Sequence, residues 1–132
     1  MTPQNSSAWN NKGTTLAKLG KSDEAIKAYD KAIEINPQHS NAWKNKGAAL
    51  GNLDKYEDAI KAFDKAIEIN SQNSYAWHFK GQTLYKLNKY DEAIKAYDKA
   101  IENNPQNSMA WYKKRLALHI LSSTTSINQS LF

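Results

Sequence analysis

An Ala-Trp dipeptide recurs every 34 residues in this chain, at Ala8-Trp9, Ala42-Trp43, Ala76-Trp77 and Ala110-Trp111, and these hold all four of its tryptophans. Other residues keep the same step: Gly13, Gly47 and Gly81; Leu16, Leu50, Leu84 and Leu118; Ala25, Ala59 and Ala93; the aromatics Tyr29, Phe63 and Tyr97; and Ala32, Ala66 and Ala100. A fixed period of this size predicts a repeat architecture, in which each unit buries its face against its neighbours instead of around one centre. The 40% apolar content, low for a 132-residue domain with a single core, fits that arrangement.

Between the periodic stretches lie Pro3-Gln4-Asn5-Ser6, Pro37-Gln38-His39-Ser40, Ser71-Gln72-Asn73-Ser74 and Pro105-Gln106-Asn107-Ser108. Proline stops a preceding helix, and Asn or Ser offers an oxygen to the unpaired N–H groups of the next. First helices are therefore expected over 7–19, 41–53, 75–87 and 109–121, and second helices over 23–35, 57–69 and 91–103. The turns between them contain Gly20-Lys21, Asp54-Lys55 and Asn88-Lys89. Asp23 through Glu34 reads DEAIKAYDKAIE, and Asp91 through Glu102 repeats it unchanged. Its apolar residues fall three and four apart, which places them on one helical face.

Trp, Gly four residues on, Leu three further, then Ala, an aromatic, a second Ala and Pro37 or Pro105 resemble the tetratricopeptide repeat. The resemblance implies an all-α, right-handed superhelical solenoid of antiparallel helix pairs. It divides the chain into a partial linker (1–5), repeats over 6–39, 40–73 and 74–107, a capping helix over 108–121 and a polar tail over 122–132. One departure is systematic: Lys12, Lys46, Lys80 and Lys114 stand where the family has leucine. Their recurrence points to a structural role, the alkyl stem covering the seam between repeats and the ammonium reaching water. Arg115 replaces the periodic glycine, and the apolar residues Leu116, Leu118, Ile120 and Leu121 exceed what one buried face needs. Ile127 and Leu131 fall in register for a stub of second helix that could fold back over that surface.

Several function classes are argued against. With no cysteine there is neither disulfide nor thiolate metal site, and no basic region followed by an apolar stretch opens the chain. No apolar run is long enough to span a bilayer. A cytoplasmic setting, without membrane association, is expected. The first helices carry no Asp or Glu to serve as catalytic acid or base, and His78 and His119 come from non-equivalent positions. No enzyme activity, metal or cofactor is expected.

Charge divides along the helix pairs. First helices with their linkers hold nine cations (Lys12, Lys18, Lys44, Lys46, Lys80, Lys86, Lys113, Lys114, Arg115) and no acid. The remaining nine lysines share the second-helix segments with all thirteen acids, a net of −4, and the two sets sum to +5. In the resembling family the first helices line a concave groove that holds an extended peptide. That resemblance points to Asn10, Asn41, Lys44, Asn45, Tyr75, His78, Gln82, Tyr85, Tyr112 and Lys113 as peptide-binding residues. These positions vary from repeat to repeat while the second helices are almost copies of each other. Amides suit a peptide backbone, lysines a carboxylate, and aromatic rings an apolar side chain. The expected function is a non-catalytic scaffold binding an acidic or carboxylate-ended peptide. Two alternatives are self-assembly through exposed ends, giving a homo-oligomer through the C-terminal cap, and single-stranded nucleic-acid binding. The single arginine and the scattered lysines argue against the latter. A family subset clamps chaperone C-termini with Lys and Asn in one first helix, Asn in the next, then Lys and Lys or Arg. Of the corresponding Asn10, Thr14, Asn45, Tyr75 and Phe79, only Asn45 matches.

Overall fold

A computed structural model describes the backbone of residues 5–131, and the side chains of all of these except 126–128 and 130–131. Seven helices follow one another: α1 (Ser6–Lys18), α2 (Ser22–Ile35), α3 (Ser40–Asn52), α4 (Tyr56–Ile69), α5 (Ser74–Lys86), α6 (Tyr90–Asn103) and α7 (Ser108–Leu131). No strand occurs among the described residues, and the fold is an all-α solenoid.

Local chemistry explains where the helices begin and end. Asn5, Asn73 and Asn107 cap α1, α5 and α7, each side-chain oxygen accepting from the backbone N–H three residues on. The serine after each cap acts differently. Ser6, Ser40 and Ser74 donate their hydroxyls to the carbonyls of Ala32, Ala66 and Ala100, pinning each first helix to the end of its partner at 2.8–3.0 Å. At the other end, Gly20, Asp54 and Asn88 adopt positive φ (77°, 59° and 62°). Lys21 N–H returns to Leu16 O at 2.9 Å and Gly20 N–H to Ala17 O at 3.0 Å, a Schellman ending that the other two turns repeat.

Within each pair the aromatic of the second helix lies on the glycine of the first. A Cβ on Gly47 would stand 2.6 Å from the Phe63 ring, and Gly13 and Gly81 are as close to Tyr29 and Tyr97. Gly51, one turn further along α3, has open space instead. Gly47→Ala should therefore lower stability by about 1–2 kcal/mol, overpacking outweighing the roughly 1 kcal/mol of helix propensity that alanine adds. Gly51→Ala, with the propensity gain alone, should raise stability by about 0.5–1 kcal/mol. Urea unfolding of both variants checks the opposite signs. Arg115 stands at the glycine position of α7, which among the described residues has no second helix of its own repeat to pack there.

Stacking fixes the curvature. α1 touches α3, α3 touches α5 and α5 touches α7, whereas no two of α2, α4 and α6 meet. The first helices therefore form the inner layer and the second helices the outer one. The recurring lysines tie the repeats together. Lys46 meets Asp30 of the preceding repeat at 2.7 Å, Lys80 meets Asp64 at 2.7 Å, and Lys114 meets Asp98 at 2.6 Å. Each ammonium also lies over the tryptophan of its own helix, at 5.6–5.7 Å. Each ammonium, a quarter of its side chain still exposed, is bound to a carboxylate across the seam, a partner the sequence reading did not name.

The last helix departs from the sequence reading. It continues through 122–131, where a polar tail was expected. Thr124 and Thr125 donate their hydroxyls to the carbonyls of Ile120 and Leu121 at 2.9 Å, and neither proline nor glycine follows Leu121 to stop the helix. One helix spans this stretch, so its backbone makes no turn for a stub to fold back. The side chains of Ile127 and Leu131, in register for that stub, lie outside the described residues. Trp111 and Leu118 on α7 are exposed.

Candidate peptide groove

The inner layer carries a cleft of about 510 Å³ between the first and second repeats and the start of α5. Thr14, Lys18, Lys44, Asn45, Asn52, Tyr75 and Phe79 line it, with Tyr29 reaching up from below, and no carboxylate borders it. Asn45 donates Nδ2 to Asn10 Oδ1 at 3.0 Å. That bond leaves the Asn45 oxygen and the Asn10 amide hydrogens open, an acceptor and a donor suited to a peptide backbone. Lys44 Nζ lies 5.4 Å above the Tyr75 ring, and Tyr75 stacks on Phe79 at 6.4 Å. Burial pushes the Lys44 pKa down. No carboxylate among the described residues pairs with this half-buried cation. Asn41 stands exposed at the rim, accepting from Asn73 Nδ2 at 3.2 Å.

Further along the groove, Gln82 lines a narrow depression of about 90 Å³ with Asn52, Tyr56 and Lys86, over Phe63 and Phe79. Beyond it, His78, Tyr85 and Lys113 form a third group. Lys113 Nζ lies 5.2 Å over the Tyr85 ring. His78 meets Phe79 and Tyr97 edge-on, at 5.5 and 6.0 Å. The structure thus gathers Asn10, Lys44, Asn45 and Tyr75 at one place and His78, Tyr85 and Lys113 at another, with Gln82 between them and Asn41 on the rim. Tyr112 is exposed, and no hydrogen bond or ring contact joins it to the others among the described residues.

Among the groove residues outside the sequence-derived set, which include Thr14, Tyr56 and Phe79, the polar series Lys18, Asn52 and Lys86 is the most regular. They recur at the 34-residue step in the last turn of each first helix. That periodicity was the available signal, and it required knowing that the last turn also faces inward. The charge count narrows in turn. Lys12, Lys46, Lys80 and Lys114 lie on the tryptophan side of their helices, where Lys12 sits 5.0 Å over Trp9, and only Lys18, Lys44, Lys86 and Lys113 of the nine cations meet the groove features described here. A second set of clefts, of about 340, 290 and 520 Å³, lies on that tryptophan side. Each mixes lysines with acids, such as Glu24, Asp58 and Glu92.

Two histidines hold neighbouring elements together. Ser6 spends its hydrogen on Ala32 O, so His39 Nδ1–H must donate to Ser6 Oγ at 2.7 Å. Burial lowers the pKa of His39; burial, then the charge of Lys113, lowers that of His78. In the unfolded chain both rings take up a proton near pH ~6.5, but in the folded protein only at lower pH. Across that window the unfolded state binds more protons, so stability is fully present above pH ~6.5 and is lost as the pH falls. Thermal midpoints should drop between about pH 7.5 and about pH 5.5, and the double variant His39→Asn/His78→Gln should show a smaller drop.

A family model described as tetratricopeptide repeat matches residues 6–39, 40–73 and 74–107. The chain belongs to the tetratricopeptide repeat family. Solved structures share its shape over nearly its whole length. The first TPR of Spaghetti (RPAP3) bound to the HSP90 peptide SRMEEVD has a TM-score of 0.87 at 28% identity, covering 92% of this chain and 97% of that one. The first TPR domain of human RPAP3 gives 0.88 at 28% identity, over 94% and 98%. MamA gives 0.85 at 26% identity, over 92% and 71%. No curated protein matches the sequence significantly. As a tetratricopeptide repeat protein, the chain carries a protein-interaction fold. No helix among its described residues is long and apolar enough to cross a membrane.

Proposed function

We propose that this repeat protein is a non-catalytic, cytoplasmic scaffold that holds an extended acidic peptide, or one ending in a free carboxylate, along its inner layer. One observation carries the reading: the main groove cleft contains a half-buried lysine, Lys44, with Lys18 and two asparagines around it and no carboxylate. An uncompensated cation in a partly desolvated cleft is stabilised by an incoming anion. The peptide named for the similar RPAP3 domain, SRMEEVD, is acidic, which supports the chemical class of ligand.

The recognition differs from the chaperone clamp. Thr14, Asn45, Tyr75 and Phe79 line one cleft, and Asn10 bonds to Asn45 at its edge, but two rings occupy positions where the clamp has cations. The preferred partner therefore combines an acidic group for Lys44 and Lys18 with an apolar or aromatic side chain for Tyr75 and Phe79. Calorimetric titration of a carboxylate-ended peptide against its C-terminally amidated twin tests this. The free acid should bind at least about fivefold tighter, and its advantage should shrink as salt is raised. Equal, salt-insensitive affinities would count against it.

A further inference from the structure

Resting on that reading, we infer that the groove has a second anion site, between the third repeat and α7, that takes a carboxylate side chain of the same peptide through Lys113, His78 and the hydroxyl of Tyr97. Tyr97 is fully buried, and its hydroxyl meets no hydrogen-bond partner among the described residues. In the first repeat the equivalent Tyr29 hydroxyl pairs with Thr14 at 3.3 Å, and in the second the position is Phe63, which has none. Only the third repeat leaves a hydroxyl without a partner, beside the ring of His78.

The tautomer of His78 follows from its neighbour. Asn107 uses its oxygen to accept from Ala110 N–H at 3.1 Å, so its Nδ2 faces His78 Nδ1 at 3.4 Å. Nδ1 is therefore the acceptor, and the neutral ring carries its proton on Nε2. Lys113 rests its ammonium on the Tyr85 ring and forms no ion pair among the described residues. The charge of Lys113 is felt at His78, whose ring lies 6.0 Å from that of Tyr97, and none of the ammonium, the imidazole Nε2–H and the phenol has an acceptor among the described residues; a carboxylate supplies acceptors only. One fixed positive charge with two neutral donors matches a monoanionic carboxylate better than a phosphate dianion. The proposed complex requires the Lys113 ammonium to leave the Tyr85 ring for the ligand and the buried Tyr97 hydroxyl to be uncovered.

Phe63 shows that the scaffold accepts phenylalanine at this position, so Tyr97→Phe is expected to fold. The probe is triglutamate, acetylated and amidated at its ends, followed by NMR of the His78 ring and by calorimetry. Saturable shifts at His78 are expected. Tyr97→Phe and Lys113→Gln should each weaken binding at least about fivefold. Lys44→Gln reports the first cleft separately. If only Lys44→Gln weakens binding, the second site is overturned and the function proposed above stands. Linear, unsaturable shifts at His78 would also overturn it. Tighter binding of inorganic phosphate than of triglutamate would overturn the carboxylate assignment.

Discussion

Phe63→Ala is expected to cost about 3–5 kcal/mol, the largest loss from a single side chain in this protein. The ring is 1% exposed and forms the centre of the middle core with Leu50, Ala59 and Ala62. It covers Gly47 within its own pair and meets Phe79 of the next repeat at 6.0 Å. Truncation therefore leaves a cavity inside one repeat and weakens the seam to another. In a stack held by nearest-neighbour contacts, losing the middle unit uncouples both ends. Against a total stability of about 5–15 kcal/mol, the variant should be largely unfolded at modest urea concentration. Far-ultraviolet circular dichroism across a urea titration measures it. A loss below about 1 kcal/mol would mean that the seams, not the intra-repeat cores, hold the stack.

Lys44→Glu is expected to weaken binding of a carboxylate-ended peptide by about tenfold or more, the largest effect foreseen on function. The substitution replaces the cleft's unpaired cation with an anion facing the ligand. Lys12→Glu is the matched control, because it changes net charge equally. Lys12 lies over Trp9 on the tryptophan side of α1, away from the groove. If affinity depends on groove geometry, Lys12→Glu should shift it by no more than about twofold at physiological salt, where charges beyond about 8 Å are largely screened. Equal losses in the two variants would reduce the effect to net charge.

Much of this was legible in the periodicity. A 34-residue step locates every helix start to within one residue, because linker, cap and apolar face all recur with it. The glycine-aromatic pairing was also visible, since Gly47 and Phe63 keep a fixed separation in each repeat. Contacts between repeats were less accessible. Asp30 and Lys46 both recur, yet their pairing depends on how one second helix leans against the next first helix. For the same reason, membership of a first helix overstated the basic character of the groove: the side of the helix decides, as Lys44 and Lys46 show from two positions apart in one turn. Helix α7 runs past its expected end because neither proline nor glycine follows Leu121, and the poor helix propensity of its serines and threonines alone does not stop it. The pairing of His78 with Asn107 joins a groove residue to a linker cap across 29 positions, and no periodic signal marks it.

The claim that the inner layer is the binding surface is tested most directly by NMR on isotope-labelled protein titrated with a carboxylate-ended acidic peptide. Saturable shifts are expected at Lys18, Lys44, Asn45, Tyr75 and Phe79, with His78 and Lys113 following where the second site is filled. Shifts concentrated instead around Trp77, Leu84 and Glu92, which line the 520 Å³ cleft on the tryptophan side, would contradict it.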